Sequence, residues 1–315
     1  MKRLCVCLLG LAMCITGCKD SKQQAVVKIA YLPTLAASQL YVGIVKNYFE
    51  AEGIKVEISE IYNGPDIVTA VRSKSIDVGF GIVPPLILAR ANGAKIRSIG
   101  GATFDGASIQ EHRFMLPVDS KIQTAWDLKG KRIAVVAEGT SDYFGLIGYL
   151  EKHGIKKEDV EIISVPHPEM IFALTSKAVD AAACLEPFIT MGAVEGKTRT
   201  FDYYYPDEEM AVGTFIAHED FINANPELVA KIAKVIDKAT AVINNESEFR
   251  KLLPTLNEHG VKFAMSKEVA DSVRIMGFSS ALSKQGLEAV MNMLYDNNVL
   301  KSKFDVEDCI YTPAK

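Results

Sequence analysis

Glu186 is the residue whose surroundings most invite chemistry. It stands in Leu185-Glu186-Pro187, directly after the short apolar run 179–185. A carboxylate there does not face a core, because burying an unpaired charge is costly. It either meets an amine or ring N–H of a ligand, or pairs with a Lys or Arg across a cleft. The same register 103 positions earlier holds Val83, in Ile82-Val83-Pro84. Around this pair stand small and polar residues of the kind that line ligand clefts. Pro33 and Thr34 open the loop 33–38, Asn63-Gly64 forms a turn, and Gly81 precedes Ile82. Thr140 and Ser141 stand at a predicted helix start, where free N–H groups and the helix dipole suit an anion or a carbonyl. Each of the two is equally readable as a plain N-cap. Tyr143 either stacks on a ligand ring or covers its own helix. His167 either reaches the cleft or sits in a solvated loop.

The elements that position these residues come from a duplication. Residues 65–93 echo residues 168–196 at a constant offset: Pro65 on Pro168, Ala70 on Ala173, Ser73-Lys74 on Ser176-Lys177, Asp77 on Asp180 and Pro84 on Pro187. Upstream, Ile29-Ala30, Gly53-Ile54 and Val56-Glu57-Ile58 match Ile133-Ala134, Gly154-Ile155 and Val160-Glu161-Ile162 more loosely. Each copy reads strand, helix, strand, helix, short strand, helix. Such alternation implies a parallel sheet covered on both faces, with ligands held at the carboxyl ends of its strands. The expected fold is therefore α/β: two similar lobes with mixed, mainly parallel sheets, joined by two crossing strands. The expected boundaries are 27–113 for the first part of lobe I, 114–211 for lobe II, and 212–315 for the return into lobe I. The last part is mainly helical. Asn225-Pro226-Glu227 starts a helix with the apolar stripe Leu228, Ile232, Val235, Ile236, Ala239 and Val242, and helices continue to Leu294. Gly100-Gly101 interrupts the strand 96–104, which marks a bulge, a hinge or a close approach.

The amino terminus fixes the compartment. Met1-Lys2-Arg3 precedes an apolar run, 4–15, too short to span a bilayer comfortably. Ile15-Thr16-Gly17-Cys18 resembles a bacterial lipoprotein box. The resemblance implies cleavage after residue 17, a lipid such as palmitate on Cys18, and a tether over 18–26. Cleavage also removes Lys2 and Arg3, leaving 33 basic against 39 acidic residues, a net charge of −6. No basic stripe or motif points to nucleic acid. Of six cysteines, only Cys184 and Cys309 lie beyond the lipobox. They are far apart and lack metal-ligand spacing, so they read as free thiols, with a disulfide as the lesser alternative. No cofactor or metal is expected.

Several motifs carry a family resemblance. Asp127-Leu128-Lys129-Gly130-Lys131-Arg132-Ile133-Ala134-Val135 resembles the element that opens the second lobe in many ABC-importer solute-binding lipoproteins. Glu186-Pro187-Phe188 resembles the EP motif of the nitrate, taurine, alkanesulfonate and thiamine-pyrimidine-precursor binders. The run 48–57 resembles that family's early helix ending, and 221–229 its return helix. The likeness covers most of residues 27–295. It implies the periplasmic binding protein-like II fold, two α/β lobes closing by a hinge motion, acting as a monomer. Such a protein closes on one small molecule and delivers it to a membrane permease with its ATPase. It also implies the cleft set Pro33, Thr34, Asn63, Gly64, Gly81, Ile82, Val83, Thr140, Ser141, Tyr143 and Glu186.

Where Gly81-Ile82-Val83 stands, the sulfonate and nitrate binders often have polar residues. No arginine is evident at the expected contact positions. A heterocycle such as a pyrimidine or flavin precursor is the favoured ligand, with a sulfonate, taurine or nitrate-type anion as the alternative. A ligand-sensing lipoprotein is the third reading. Fungal enzymes making the thiamine pyrimidine share the fold, but they resemble a cysteine-rich motif absent here. There is also no HExxH, GxSxG or GxGxxG, so the chain is not read as an enzyme.

Overall fold

The computed structural model describes residues 24–259 and 265–313. The expected signal segment and the expected lipidation site, Cys18, lie outside the described residues. The strands are β1 (Ala25–Tyr31), β2 (Ile54–Glu60), β3 (Val78–Ile82), β4 (Ile96–Asp105), β5 (Arg113–Pro117), β6 (Arg132–Val135), β7 (Glu161–Ser164), β8 (Ala181–Cys184), β9 (Thr198–Tyr203), β10 (Met210–His218) and β11 (Gly277–Ser279). They form two sheets, ordered β11-β4-β10-β3-β1-β2 and β7-β6-β8-β5-β9. In the first, β1 runs parallel to β2 and β3. In the second, β6 runs parallel to β7 and β8. Each parallel trio is extended by one antiparallel strand, β10 against β3 and β5 against β8. The two lobes thus repeat one strand order, as the duplicated sequence requires.

The echo has a physical basis at the turn between helix and short strand. Helices Gly64–Arg72 and His167–Thr175 end on Ser73 and Ser176, and Lys74 and Lys177 both adopt φ 61°. The next aspartate closes the unit identically. Asp77 Oδ2 accepts the Lys28 backbone N–H at 2.9 Å, and Asp180 Oδ2 accepts that of Arg132 at 2.9 Å. Each carboxylate therefore ties the start of its short strand to the neighbouring parallel strand, at Lys28 midway along β1 and at Arg132, first in β6.

The last strand of the second lobe is Thr198–Tyr203, which leaves Tyr204 and Tyr205 in the crossing segment. One difference from the sequence reading matters. The expected helical tail is interrupted by β11, which adds to the edge of the first sheet beside β4. The helix Pro226–Asn244 forms as expected. Ile232, Val235, Ile236 and Ala239 are buried, each large one contributing about 1.5–3 kcal/mol. Gly100 and Gly101 form a bulge, with the register of β4 against β10 shifting beside Gly100. Gly101 has φ 66°, and a Cβ there would stand 2.8 Å from Ile236 and 2.9 Å from Gln39 Oε1. The glycine lets Gln39 lie against the strand, where its Nε2 donates to Thr240 Oγ1 at 2.6 Å and to the Ser279 carbonyl at 2.9 Å. No helix among the described residues is long and apolar enough to cross a membrane.

Candidate ligand-binding site

The strand registers bring the carboxyl ends of the two sheets to a common junction. In the first sheet Ile82, last in β3, pairs with Gly213, and Gly213 pairs with Thr103 on β4. Asp105, two residues further, ends β4 at that same edge. In the second sheet Cys184, last in β8, pairs with Arg113, first in β5. One crossing segment, 106–112, joins the two edges, and the other, 204–209, runs back from β9 to β10. Ligands in open α/β sheets bind at this kind of edge.

A buried charged cluster fills the junction. Asp105, Glu111 and His112 are all 0% exposed, and Asp142, His167 and Glu186 at most 4%. Asp105 holds the first crossing in shape. It accepts backbone N–H bonds from Gly106 at 2.8 Å and from Glu111 and His112 at 3.1 Å, and faces His112 Nδ1 at 2.7 Å. His112 turns Nε2 toward Asp142 Oδ1 at 3.6 Å, stacks on Tyr205 at 4.3 Å and meets the edge of Tyr204. Asp142, in the first turn of the helix Ser141–Lys152, faces His167 Nε2 at 2.9 Å and accepts the Tyr204 hydroxyl at 3.0 Å. Glu186 follows β8 and accepts from Thr190, through its N–H at 3.1 Å and its hydroxyl at 2.9 Å. It also accepts the Arg274 N–H at 3.5 Å, from the far side of the junction. The Glu186 N–H donates to Glu111 Oε1 at 3.3 Å. Glu111 Oε2 and His112 Nε2, both buried, make no hydrogen bond.

The electrostatics are those of an acid-rich interior. Burial pushes the Glu111 carboxyl up to about 8, reinforced by Asp105, Glu186 and Asp142 against the opposing pull of His112. Burial works against the charged form of His112, but Glu111, Asp105 and Asp142 outweigh it and raise the imidazole to about 9. Burial also opposes ionisation of Asp105 and Asp142, yet His112 and His167 respectively hold both below the ordinary carboxylate range. Burial raises Glu186 despite its hydrogen bonds from Thr190 and Arg274. The junction therefore holds carboxylates that histidine keeps ionised beside acids that burial shifts toward the neutral form, and of these Glu186 lines a groove, together with Arg113, Arg250 and Arg274.

The expected residues divide into three groups. Thr140, Ser141 and Glu186 sit at this junction, on the second lobe. Thr140 caps its helix, its hydroxyl accepting the Tyr143 N–H at 3.3 Å. On the first lobe, Thr34 and Pro33 follow the carboxyl end of β1, and the buried Thr34 Oγ1 has no hydrogen-bond partner. Ile82 and Val83 are buried at the end of β3. The glycines serve packing: a Cβ on Gly64 would lie 2.1 Å from the Ile82 side chain, and one on Gly81 would lie 3.1 Å from Ile216. Asn63 caps the helix Gly64–Arg72, its Oδ1 accepting the Asp66 N–H at 2.9 Å. Tyr143 turns outward. Its hydroxyl accepts from Lys157 Nζ at 2.6 Å, and its ring lines a groove with Asn297 and Val299. His167 is the reverse case. The solvated-loop reading is corrected by its burial against Phe188 and its contact with Asp142. Cys184 and Cys309 are free and buried.

Sequence reading missed Asp105, Glu111, His112 and Asp142. The available signal was Glu111-His112-Arg113, three charged residues directly before the apolar strand 114–116 in a predicted crossing.

Two α/β lobes with one strand order, two crossings and a polar junction at the carboxyl edges define a periplasmic-binding-protein-type fold. The chain belongs to the NMT1/THI5 like family, whose model matches residues 36–248. A protein of Brucella abortus (strain 2308) described as a binding protein is 29% identical over 247 residues, covering 76% of this chain and 73% of that one. The taurine-binding periplasmic protein of Escherichia coli (strain K12) is 29% identical over 228 residues, 70% and 67% of the two chains. A pyrimidine phosphate synthase of Saccharomyces cerevisiae is 25% identical over 237 residues, 68% and 66%. The alkanesulfonate-binding protein SsuA of Xanthomonas axonopodis pv. citri, solved with MOPS, has the same fold: TM-score 0.76 at 21% identity, covering 92% of this chain and 99% of that one.

Proposed function

We propose that this chain is the extracytoplasmic solute-binding component of an ABC importer. It closes two lobes, 27–113 with 212–315 against 114–211, over one small organic molecule carrying N–H donors. A heterocycle such as a pyrimidine or flavin precursor fits best. The observation that carries this reading is the composition of the junction: Glu186, Asp142 and Glu111 are buried acceptors or protonatable acids. A ring N–H or exocyclic amine satisfies such oxygens by charge-assisted hydrogen bonds. A simple oxyanion brought against them meets like charge. The likeness to the taurine-binding protein supports a second reading, in which the amine of a small zwitterion meets the same carboxylates. The relatives include binding proteins and one enzyme. Cys184, the lone thiol near the site, is buried and held protonated by that burial, which supports binding over nucleophilic chemistry.

Thermal unfolding against a panel of aminopyrimidines, flavins, amines, sulfonates and nitrate tests the reading. A ligand at 100 times its Kd adds about 2.7 kcal/mol to the folded state. The expected result is a shift with a donor-bearing compound; a shift with nitrate or a simple sulfonate alone refutes it. The lipobox reading is tested apart from this. Cys18→Ser is expected to release the protein from membranes, and persistent membrane association would end that reading.

A further inference from the structure

We propose that Asp105, Glu111 and His112 form a binding site for a divalent transition-metal ion, zinc by preference, at the first crossing between the lobes. One donor atom from each of the three lies within 4.8 Å of the others, and all three residues are fully buried. His112 Nδ1 stands 2.7 Å from Asp105 Oδ2 and 3.4 Å from Glu111 Oε2. Ligand atoms about 2.0–2.2 Å from a tetrahedral zinc stand apart by distances of this order, so small side-chain movements admit the ion. The inference does not rest on proximity alone. Glu111 Oε2 is buried, aimed at His112 and without a hydrogen-bond partner, a costly state that a cation relieves.

The surroundings match a metal site beyond its ligands. Metal-bound histidines commonly present their other ring N–H to a carboxylate, which fixes the ring. His112 Nε2 faces Asp142 Oδ1 at 3.6 Å, and the Tyr205 ring lies flat against the imidazole. Asp105 is oriented by backbone N–H groups of Gly106, Glu111 and His112. One imidazole and two carboxylates suit zinc better than magnesium, which favours all-oxygen sites and retains its waters. Three protein ligands leave one coordination position open. Binding displaces the Nδ1 proton of His112 and any proton on Glu111, so protons are released. The inference shares Glu111 with the proposed solute site, but its test uses zinc alone and so fails or succeeds apart from the organic solute.

The test is calorimetric titration of chelator-treated protein with zinc alone, and in parallel with magnesium, in buffers of different ionisation enthalpy. One zinc per chain is expected, with proton release, a raised melting temperature and no comparable magnesium binding. Glu111→Gln should fold normally, because Oε2 has no partner to lose, and should weaken zinc binding at least ~10-fold. His112→Gln should weaken it further. Absence of zinc binding overturns the proposal. So does binding unchanged in Glu111→Gln and His112→Gln, which would place the ion elsewhere.

Discussion

Asp105→Ala lowers the unfolding free energy by about 3–5 kcal/mol in the metal-free protein, the expected cost of removing one partner from a buried charge pair. Asp105 is fully buried and accepts three backbone N–H groups of the first crossing besides facing the His112 ring. Without it, those donors are stranded away from water, and the imidazole loses a carboxylate that stabilises its charge. Asp207→Ala is the comparison, since its pair with Lys152 is solvent-exposed and worth little. Urea unfolding in the presence of a chelator measures both. A loss below about 1 kcal/mol for Asp105→Ala would mean that the crossing is not held by this carboxylate.

Glu186→Gln weakens ligand binding at least ~10-fold, the value of one charge-assisted hydrogen bond. The Thr190 N–H bonds Oε2 and the Thr190 hydroxyl bonds Oε1. The amide keeps an oxygen for the N–H and turns its NH2 to the hydroxyl, which then accepts, so the fold survives and the effect falls on the ligand. The substitution also separates the two roles open to Glu186. A structural carboxylate linking the lobes through the Arg274 N–H predicts lower stability with unchanged affinity. A ligand-contacting carboxylate predicts the reverse pattern. Calorimetric affinity and urea stability, measured on the same variant, distinguish them.

What was legible in the sequence follows from how local each signal is. The duplication was readable because each copy repeats a short-range device: a serine at the helix end, a lysine at positive φ and an aspartate that accepts a neighbouring strand N–H. All of these lie within a few residues, so they survive as an offset. Glu186 stood out for the same reason, as a charge at the end of an apolar run. The cluster at the junction is different. Asp105, His112, Asp142 and His167 come from a strand end, a crossing and two helix starts, and the pairing of β5 with β8, of β8 with β6 and of β6 with β7 brings them together. Their spacing follows no helix or strand period. Tyr143 shows the same limit from the other side. Its direction is set by Lys157 and by the distant Asn297 and Val299, not by its place in the helix. His167 follows a proline at a helix start and looks like a loop residue, yet Asp142 and Phe188 enclose it.

Recognition of a donor-bearing solute by buried carboxylates is tested most directly by calorimetric titration of the wild-type protein with an aminopyrimidine and with the same ring lacking its amino group. The prediction is binding of the first and a loss of at least ~10-fold for the second, with Glu186→Gln removing most of the difference. Equal affinity for the two rings, or no binding of either while a simple sulfonate binds both wild type and Glu186→Gln, would contradict it.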